Sequence, residues 1–144
     1  MKAQWTIGII GGSGLYAINA LEDAEWRDVS TPWGAPSDQV LHGRIGGIAL
    51  RFLPRHGRGH RIPPHEVNDA LKRCGCTDLL AISSVGSLRE ELEPGRFVIV
   101  DQFIDRTMQR PPSFFGTGMV AHVSMADPVC PRLSAFAASA VTAV

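Results

Sequence analysis

Three arginines and three histidines lie within residues 55–66, RHGRGHRIPPHE, where two glycines and a Pro-Pro pair interrupt the segment. The whole protein has only five histidines and a formal net charge of zero, so this cationic loop is a local concentration of donors. An arginine guanidinium presents a planar fork of N–H groups that matches a phosphate, and a histidine adds another donor. Arg55 and His56 therefore predict an oxyanion site, with glycines that bend the loop and aim the donors.

Two further loops carry small polar residues that suit the same kind of ligand. Residues 11–14, GGSG, allow backbone N–H groups to approach an oxyanion closely, and residues 83–87, SSVGS, form a similar turn. Ser13 and Ser83 add hydroxyl donors to these two loops. Taken alone, residues 11–14 fit an ordinary strand-to-helix turn equally well.

Other site chemistries are disfavoured by the spacing of the candidate residues. GGSG lacks the G-x-G-x-x-G spacing of a dinucleotide site, and no Gly-Lys-Ser/Thr of a P-loop follows it. The sequence has no HExxH motif, and Cys74-Gly75-Cys76 lacks a second pair of ligands, so we expect no metal site. Neither Ser13 nor Ser83 lies in the G-x-S-x-G turn of a serine hydrolase.

Composition places the chain among globular proteins with an apolar core. Of its 144 residues, 44% are hydrophobic and 19% are charged, so we expect a single domain over residues 1–144. The neutral charge balance disfavours a nucleic-acid or membrane-surface binder. Three cysteines form no legible disulfide framework, and the apolar run near the N-terminus is too short for a signal or a membrane span. Both observations favour a cytoplasmic protein.

Hydrophobic runs punctuated by glycine and proline predict the elements that must position these loops. Strands are predicted over residues 6–10, 39–45, 48–53, 78–84 and 97–100, and helices over 65–74 and 132–144, with a short helix starting within 15–21. Gly46-Gly47 predicts a hairpin between the second and third strands. The near-continuous apolar run at 78–84 predicts a central strand buried on both faces. Alternating strands and helices indicate an α/β sheet, in which ligands bind at strand ends.

Five segments, taken jointly, carry a resemblance to one enzyme family. They are IGIIGGSGLY, TPWGAPSD, RHGRGHRIPPHEVN, SSVGSLREELEPG and VDQFIDRT. Together they resemble the N-terminal half of the 5′-methylthioadenosine phosphorylases, which belong to the purine nucleoside phosphorylase superfamily. The segments occur in the family's order, from residue 7 onward through nearly the whole chain. The resemblance implies an α/β fold of the phosphorylase/hydrolase-like type, a three-layer mixed β-sheet with flanking helices, truncated after this half.

The resemblance implies a pentosyltransferase reaction of purine and methionine salvage. Phosphate attacks the anomeric carbon of S-methyl-5′-thioadenosine, and the products are adenine and 5-methylthioribose 1-phosphate. Inorganic phosphate is a co-substrate, and no metal or organic cofactor is expected. Two alternatives stay open: a methylthioinosine phosphorylase, and a non-catalytic phosphate-binding or subunit-interface fragment.

The family's functional residues match several positions of this sequence. The residues matching its phosphate site are Ser13, Arg55, His56 and Ser83, with His60 in support. Those matching its nucleoside pocket are Ser84, Val85, Gly86 and His122, the last lent to a neighbouring subunit. The resemblance therefore implies small-molecule partners and a homo-oligomer, a trimer in the family, with no nucleic-acid or membrane partner.

The sequence departs from the family's pattern in two ways. The acid that assists purine departure belongs to the family's other half, so no catalytic residue is expected in this half. After Val67-Asn68, about five residues of the family's pattern are missing, which predicts a helix shorter by about 7 Å. An α/β sheet without the family's second half would expose a strand edge and apolar faces, so we expect association or reliance on a partner.

Overall fold

A computed structural model of the protein describes residues 5–12, 18–57, 67–109, 113 and 115–143. The chain divides into two compact units, Met1–Val85 and Gly86–Val144. Within the described ranges, the first unit contains a β-sheet and one helix, and the second contains one helix. Each unit has its own organisation and is described by itself.

The first unit is built on a five-stranded mixed sheet. Its strands are β1 (Thr6–Gly11), β2 (Glu22–Arg27), β3 (Val40–Ile45), β4 (Ile48–Pro54) and β5 (Asp78–Ala81). They lie in the order β2-β3-β4-β1-β5. β1 pairs in parallel with β4 and with β5, whereas β3 pairs antiparallel with β2 and with β4. The predicted α/β class with a mixed sheet is confirmed, and the carboxyl ends of β1, β4 and β5 share one edge of the sheet.

The predicted hairpin joins β3 to β4. Gly46 and Gly47 both have positive φ angles, 54° and 81°, which only glycine adopts without strain. Ile45 then pairs directly with Ile48. A two-residue link with two left-handed residues matches the twist of the flanking strands, so the Gly-Gly prediction is confirmed.

Helix α1 (Val67–Arg73) packs on one face of the sheet. Ala70 and Leu71 are fully buried and join Ile10 and Leu53 in the core. Full burial of a leucine side chain contributes about 1.5–3 kcal/mol to folding. The helix ends at Arg73, and Gly75, with a φ of 77° and an N–H bond to the carbonyl of Lys72, forms the left-handed cap that follows it. The predicted glycine cap is confirmed, the helix ends one residue before the predicted residue 74, and the predicted start at residue 65 lies outside the described residues.

The predicted position of the 78–84 strand is wrong. The interior strands are β3, β4 and β1, whereas β5 is an edge strand whose Leu79 is 41% exposed. The strand also ends at Ala81 rather than at residue 84. An apolar run indicates that a strand can be buried, but the order of the strands depends on which strands pair with one another. Among the described residues, no further strand pairs beyond β5.

β2 was not predicted, and residues 18–20 form a turn rather than a helix. The strand sequence, EDAEWR, is mostly charged and lacks alternation, because it lies at the other edge of the sheet and five of its six residues are exposed. Its register also shifts between Glu22 and Glu25. The predicted helix start at 15–17 lies outside the described residues.

The second unit contains helix α2 (Pro131–Thr142), which begins at the proline as predicted. The predicted strand over residues 97–100 is wrong, since the structure describes these residues without a strand and Phe97 is 72% exposed. No strand is described in this unit to pair with them. Across the described portion of the chain, no helix has the length and apolar character needed to cross a membrane.

Candidate phosphate-binding site

The carboxyl ends of the three parallel strands are tied together by backbone hydrogen bonds. The N–H of Arg55, just after β4, donates to the carbonyl of Gly11 at 2.8 Å. The N–H of Ile82, just after β5, donates to the carbonyl of Ile10 at 2.8 Å. The segments that follow β4 and β5 therefore both leave the sheet beside the end of β1. The residues that follow β4 and β5 are brought to one end of the sheet, which is where ligands bind in α/β sheets.

The guanidinium of Arg55 reaches across this edge. Its Nη2 donates to the carbonyl of Ile82 at 3.3 Å, so the side chain lies beside the residue that precedes Ser83. The residue itself is partly buried. A guanidinium carries five N–H donors, and the bond to Ile82 is the one that the Arg55 side chain makes among the described hydrogen bonds, so it orients the group while using one donor.

His56 and Gly57 continue the cationic loop from Arg55. His56 is partly buried, and Gly57 is buried with a left-handed φ of 62°. A Cβ at Gly57 would overlap the carbonyl oxygen of Ser37, so the position requires glycine for its conformation and for its close approach. The bend predicted from the glycine content is present here and turns the chain directly after Arg55 and His56.

Ser37 is the residue of this site that sequence reasoning missed. Its hydroxyl donates to the carbonyl of Pro54, the last residue of β4. The two residues are 17 positions apart, and serine in a Pro-rich loop has no spacing pattern that points to a distant carbonyl. The only signal was its place within TPWGAPSD, one of the segments that carries the family resemblance.

The remaining predicted site residues are placed as follows. Ser83, Ser84 and Val85 follow β5 in the first unit and are exposed. Gly86 and His122 lie in the second unit and are exposed there. Ser13 and His60 lie outside the described residues. The structure thus brings together Arg55, His56 and the start of the 83–85 segment.

Among the described residues, the largest shift in pKa belongs to His42 on β3, away from the ends of β1, β4 and β5. His42 lies between Glu25 on β2 and Arg51 on β4 in one row across the sheet. Burial is the main reason that the pKa of His42 is lowered to about 4; the nearby charges of Arg51 and Arg27 act in the same direction, and Glu25 opposes them. Neither ring nitrogen has a hydrogen-bond partner among the described residues. Burial beside two arginines accounts for a neutral structural histidine here, so the shift by itself is not evidence of a catalytic group.

The cysteines near α1 are inert thiols. Burial raises the pKa of Cys76 to about 11 and raises that of Cys74 above its ordinary value. A protonated thiol is a poor nucleophile and a poor metal ligand at neutral pH. Where the structure describes the chain, no group of three or more His, Cys, Asp or Glu residues could hold a metal ion.

Comparison with known proteins identifies a matching family and similar relatives. The phosphorylase superfamily matches residues 6–143 of the chain. The S-methyl-5′-thioadenosine phosphorylase of Cereibacter sphaeroides is 60% identical over 142 residues, which are 95% of this chain and 49% of that protein. The corresponding protein of Bradyrhizobium diazoefficiens is 52% identical over 97% of this chain and 50% of its own length. The chain therefore spans about half the length of the curated relatives it matches.

Solved structures agree in fold. A methylthioadenosine phosphorylase from an antarctic soil metagenomic library is 48% identical with a TM-score of 0.83, over 90% of this chain and 47% of that one. The methylthioadenosine phosphorylase of Schistosoma mansoni in complex with adenine is 46% identical with a TM-score of 0.79, over 89% and 50%. The predicted resemblance to the N-terminal half of these enzymes is confirmed. On this evidence the chain belongs to the phosphorylase superfamily.

Proposed function

We propose that this chain supplies the phosphate-binding part of a pentosyltransferase that phosphorolyses S-methyl-5′-thioadenosine. An oxygen of inorganic phosphate bonds to the anomeric carbon as the bond from that carbon to the purine nitrogen breaks. The bonding electron pair leaves with the purine, which takes up a proton, and the products are adenine and 5-methylthioribose 1-phosphate. The similarity to phosphorylases over 95% of the chain supports this assignment.

The observation that carries the proposal is the position of Arg55. Its guanidinium lies at the common edge of three parallel strands, fixed by the carbonyl of Ile82 and directly before His56. Strand ends of this kind are the usual place for ligands in α/β sheets. A planar, permanently charged fork matches the geometry of a phosphate dianion.

The chemistry explains why an anion clamp promotes this reaction. Cleavage of a glycosidic bond develops positive charge on the sugar ring. A phosphate dianion held beside the ring stabilises that charge and then captures the carbon. Arg55, His56 and the hydroxyls of Ser13 and Ser83 hold the dianion in place without forming a covalent bond to it. Preorganised donors cost no rearrangement at the moment of reaction.

The nucleoside is proposed to lie against the residues after β5. Ser84, Val85 and Gly86 contribute backbone and small side chains to its pocket, and His60 supports the cationic loop. His122 is proposed to serve a neighbouring subunit in a homotrimer. No catalytic acid for the purine is assigned to this chain, and the reaction requires phosphate as co-substrate with no other cofactor. The free thiols of Cys74, Cys76 and Cys130 support a cytoplasmic location.

A phosphorolysis assay tests the proposal. Purified protein is given S-methyl-5′-thioadenosine with and without phosphate, and adenine release is measured alongside phosphate affinity. Arg55→Ala should weaken phosphate binding by at least tenfold, because it removes the fork from the strand edge. Arg44→Ala is the matched control, since Arg44 bonds to Gly47 at the hairpin, the opposite end of β4.

The outcomes separate the candidate functions. Phosphate-dependent, saturable release of adenine supports the phosphorylase. Saturable phosphate binding without turnover of any nucleoside supports a non-catalytic phosphate-binding role instead. Faster turnover of methylthioinosine than of methylthioadenosine transfers the assignment to the hypoxanthine nucleoside. Equal effects of Arg55→Ala and Arg44→Ala would contradict the proposed clamp.

A further inference from the structure

We propose that Ser37 is a positioning residue that fixes the backbone carrying Arg55 and His56. The inference rests on the proposed function for its purpose, but its physical content concerns Ser37 and the backbone of residues 54–57. Ser37 contacts this segment at two points, once through its side chain and once through its main chain. Arg55 and His56 lie between those two points.

The first contact is through the hydroxyl. The Oγ of Ser37 donates to the carbonyl of Pro54, which is fully buried at the end of β4. Pro54 pairs with Gly11 of β1 in the sheet, and the next N–H, of Arg55, bonds to the same Gly11. The Ser37 bond therefore holds the peptide group between Pro54 and Arg55 on its carbonyl side, while Gly11 holds it on its N–H side.

The second contact is through the Ser37 carbonyl. Gly57 is buried against this oxygen in a left-handed conformation, so closely that no Cβ could be accommodated. A left-handed residue directly after His56 bends the chain. The Ser37 main chain thereby fixes the position of this bend, two residues beyond Arg55.

Ser37 can hold this backbone in place because the position of Ser37 is itself fixed by the core. The neighbouring Asp38 accepts a hydrogen bond from the N–H of Gln39 at 2.8 Å, which caps the entry to β3. Val40, the first residue of β3, has no solvent exposure. The chain around Ser37 is thus continuous with a buried strand, and a rigid strand transmits position better than a free loop does.

The consequence for ligand binding follows from the small tolerance of such sites. A displacement of about 1 Å in a positioning group can reduce the rate of a reaction by about 10²-fold. Without the Ser37 hydroxyl, the Pro54 carbonyl loses a partner and the Arg55 peptide is held only by Gly11. We expect a loss of phosphate affinity of about tenfold, the effect of one hydrogen bond.

The test compares Ser37→Ala with Ser37→Thr, which keeps a hydroxyl, and with Ser30→Ala. Ser30 is an exposed serine before the same loop, so its substitution controls for handling and global effects. Amide hydrogen exchange of Arg55, His56 and Gly57 is measured without phosphate, and inorganic phosphate is then titrated. Thermal unfolding is recorded for each variant.

Ser37→Ala should raise the exchange rate of these three amides by at least tenfold and leave exchange rates in β3 unchanged. It should also weaken phosphate binding by about tenfold. Ser37→Thr should restore both quantities, and Ser30→Ala should alter neither. Unchanged exchange at the three amides in Ser37→Ala overturns the inference, as does a rise spread evenly over the sheet with a matching loss of thermal stability. A wild-type protein that does not bind phosphate refutes the proposed function, and the exchange data still decide the role of Ser37.

Discussion

At the scale of single residues, Arg55 combines two properties that few side chains share. It keeps its charge at any physiological pH, and its donors lie in a rigid plane. The bond to the carbonyl of Ile82 uses one donor to fix that plane at the edge of the sheet. A lysine would retain the charge without the fork or the fixed orientation, so charge alone does not describe the site.

The lowered pKa of His42 predicts how the free energy of unfolding depends on pH. Its pKa is about 4 in the folded protein and 6.5 in an ordinary environment, so the unfolded chain binds more protons between these values. The free energy of unfolding is therefore fully retained above about pH 6.5 and falls as the pH drops from there towards 4. Urea unfolding of wild type and His42→Gln at pH 7.5 and pH 5 measures this, because the glutamine cannot titrate.

The expected result is a loss of stability at pH 5 in wild type that is clearly smaller in His42→Gln. The groups facing His42 are Arg51, Arg27 and Glu25, and the two arginines keep their charge over this range. An equal loss in both proteins would show that other groups titrate and that His42 is not the source.

At the scale of elements, two glycine turns of the same sheet have different tasks. Gly57 and Gly47 both have left-handed φ angles, 62° and 81°. A Cβ at Gly47 would meet nothing within 4 Å, whereas a Cβ at Gly57 would overlap the Ser37 carbonyl. Gly47→Ala should cost about 1 kcal/mol of backbone strain and leave phosphate affinity unchanged. Gly57→Ala should cost more than about 2 kcal/mol, because overpacking adds to the strain.

Denaturant unfolding and phosphate titration of these two variants separate conformational strain from the contact with Ser37. A specific loss of phosphate affinity in Gly57→Ala is expected, since the displaced turn carries Arg55 and His56 with it. Similar stability and similar phosphate affinity in both variants would mean that the approach of Gly57 to Ser37 has no consequence.

Most elements could be predicted because their signals are local. The Gly-Gly link, the apolar runs of β3 and β4 and the Gly75 helix cap each depend on a few adjacent residues, and all are present. β2 could not be predicted, because an exposed edge strand needs no apolar face. The edge position of β5 could not be predicted either, since strand order depends on pairings between distant segments.

The candidate site likewise contains residues that the sequence could predict and one that it could not. Arg55 and His56 were predicted from their types, from the rule that ligands bind at strand ends and from the family resemblance, none of which requires knowledge of long-range contacts. Ser37 was not, because its function depends on a contact with Pro54 that only the folded sheet creates. The roles of Ser13, Ser83 and His122 in binding stay predictions.

At the scale of the whole molecule, apolar surface is extensive. Exposed large hydrophobic side chains in the second unit include Phe97, Phe103, Ile104, Met108, Val120 and Val123. In the first unit, the unpaired edge of β5 exposes Leu79. Surfaces of this kind favour association with another protein surface. The predicted association, and the trimer implied by the family resemblance, stay predictions.

The central claim is that one phosphate dianion is held jointly by the loops that follow β1, β4 and β5. A crystal structure of the protein grown with inorganic phosphate tests it most directly. We expect the anion within hydrogen-bonding distance of Arg55, His56, Ser13 and Ser83, at the edge where the three strands end. Phosphate bound elsewhere, or these four side chains dispersed with no anion among them, would contradict the account.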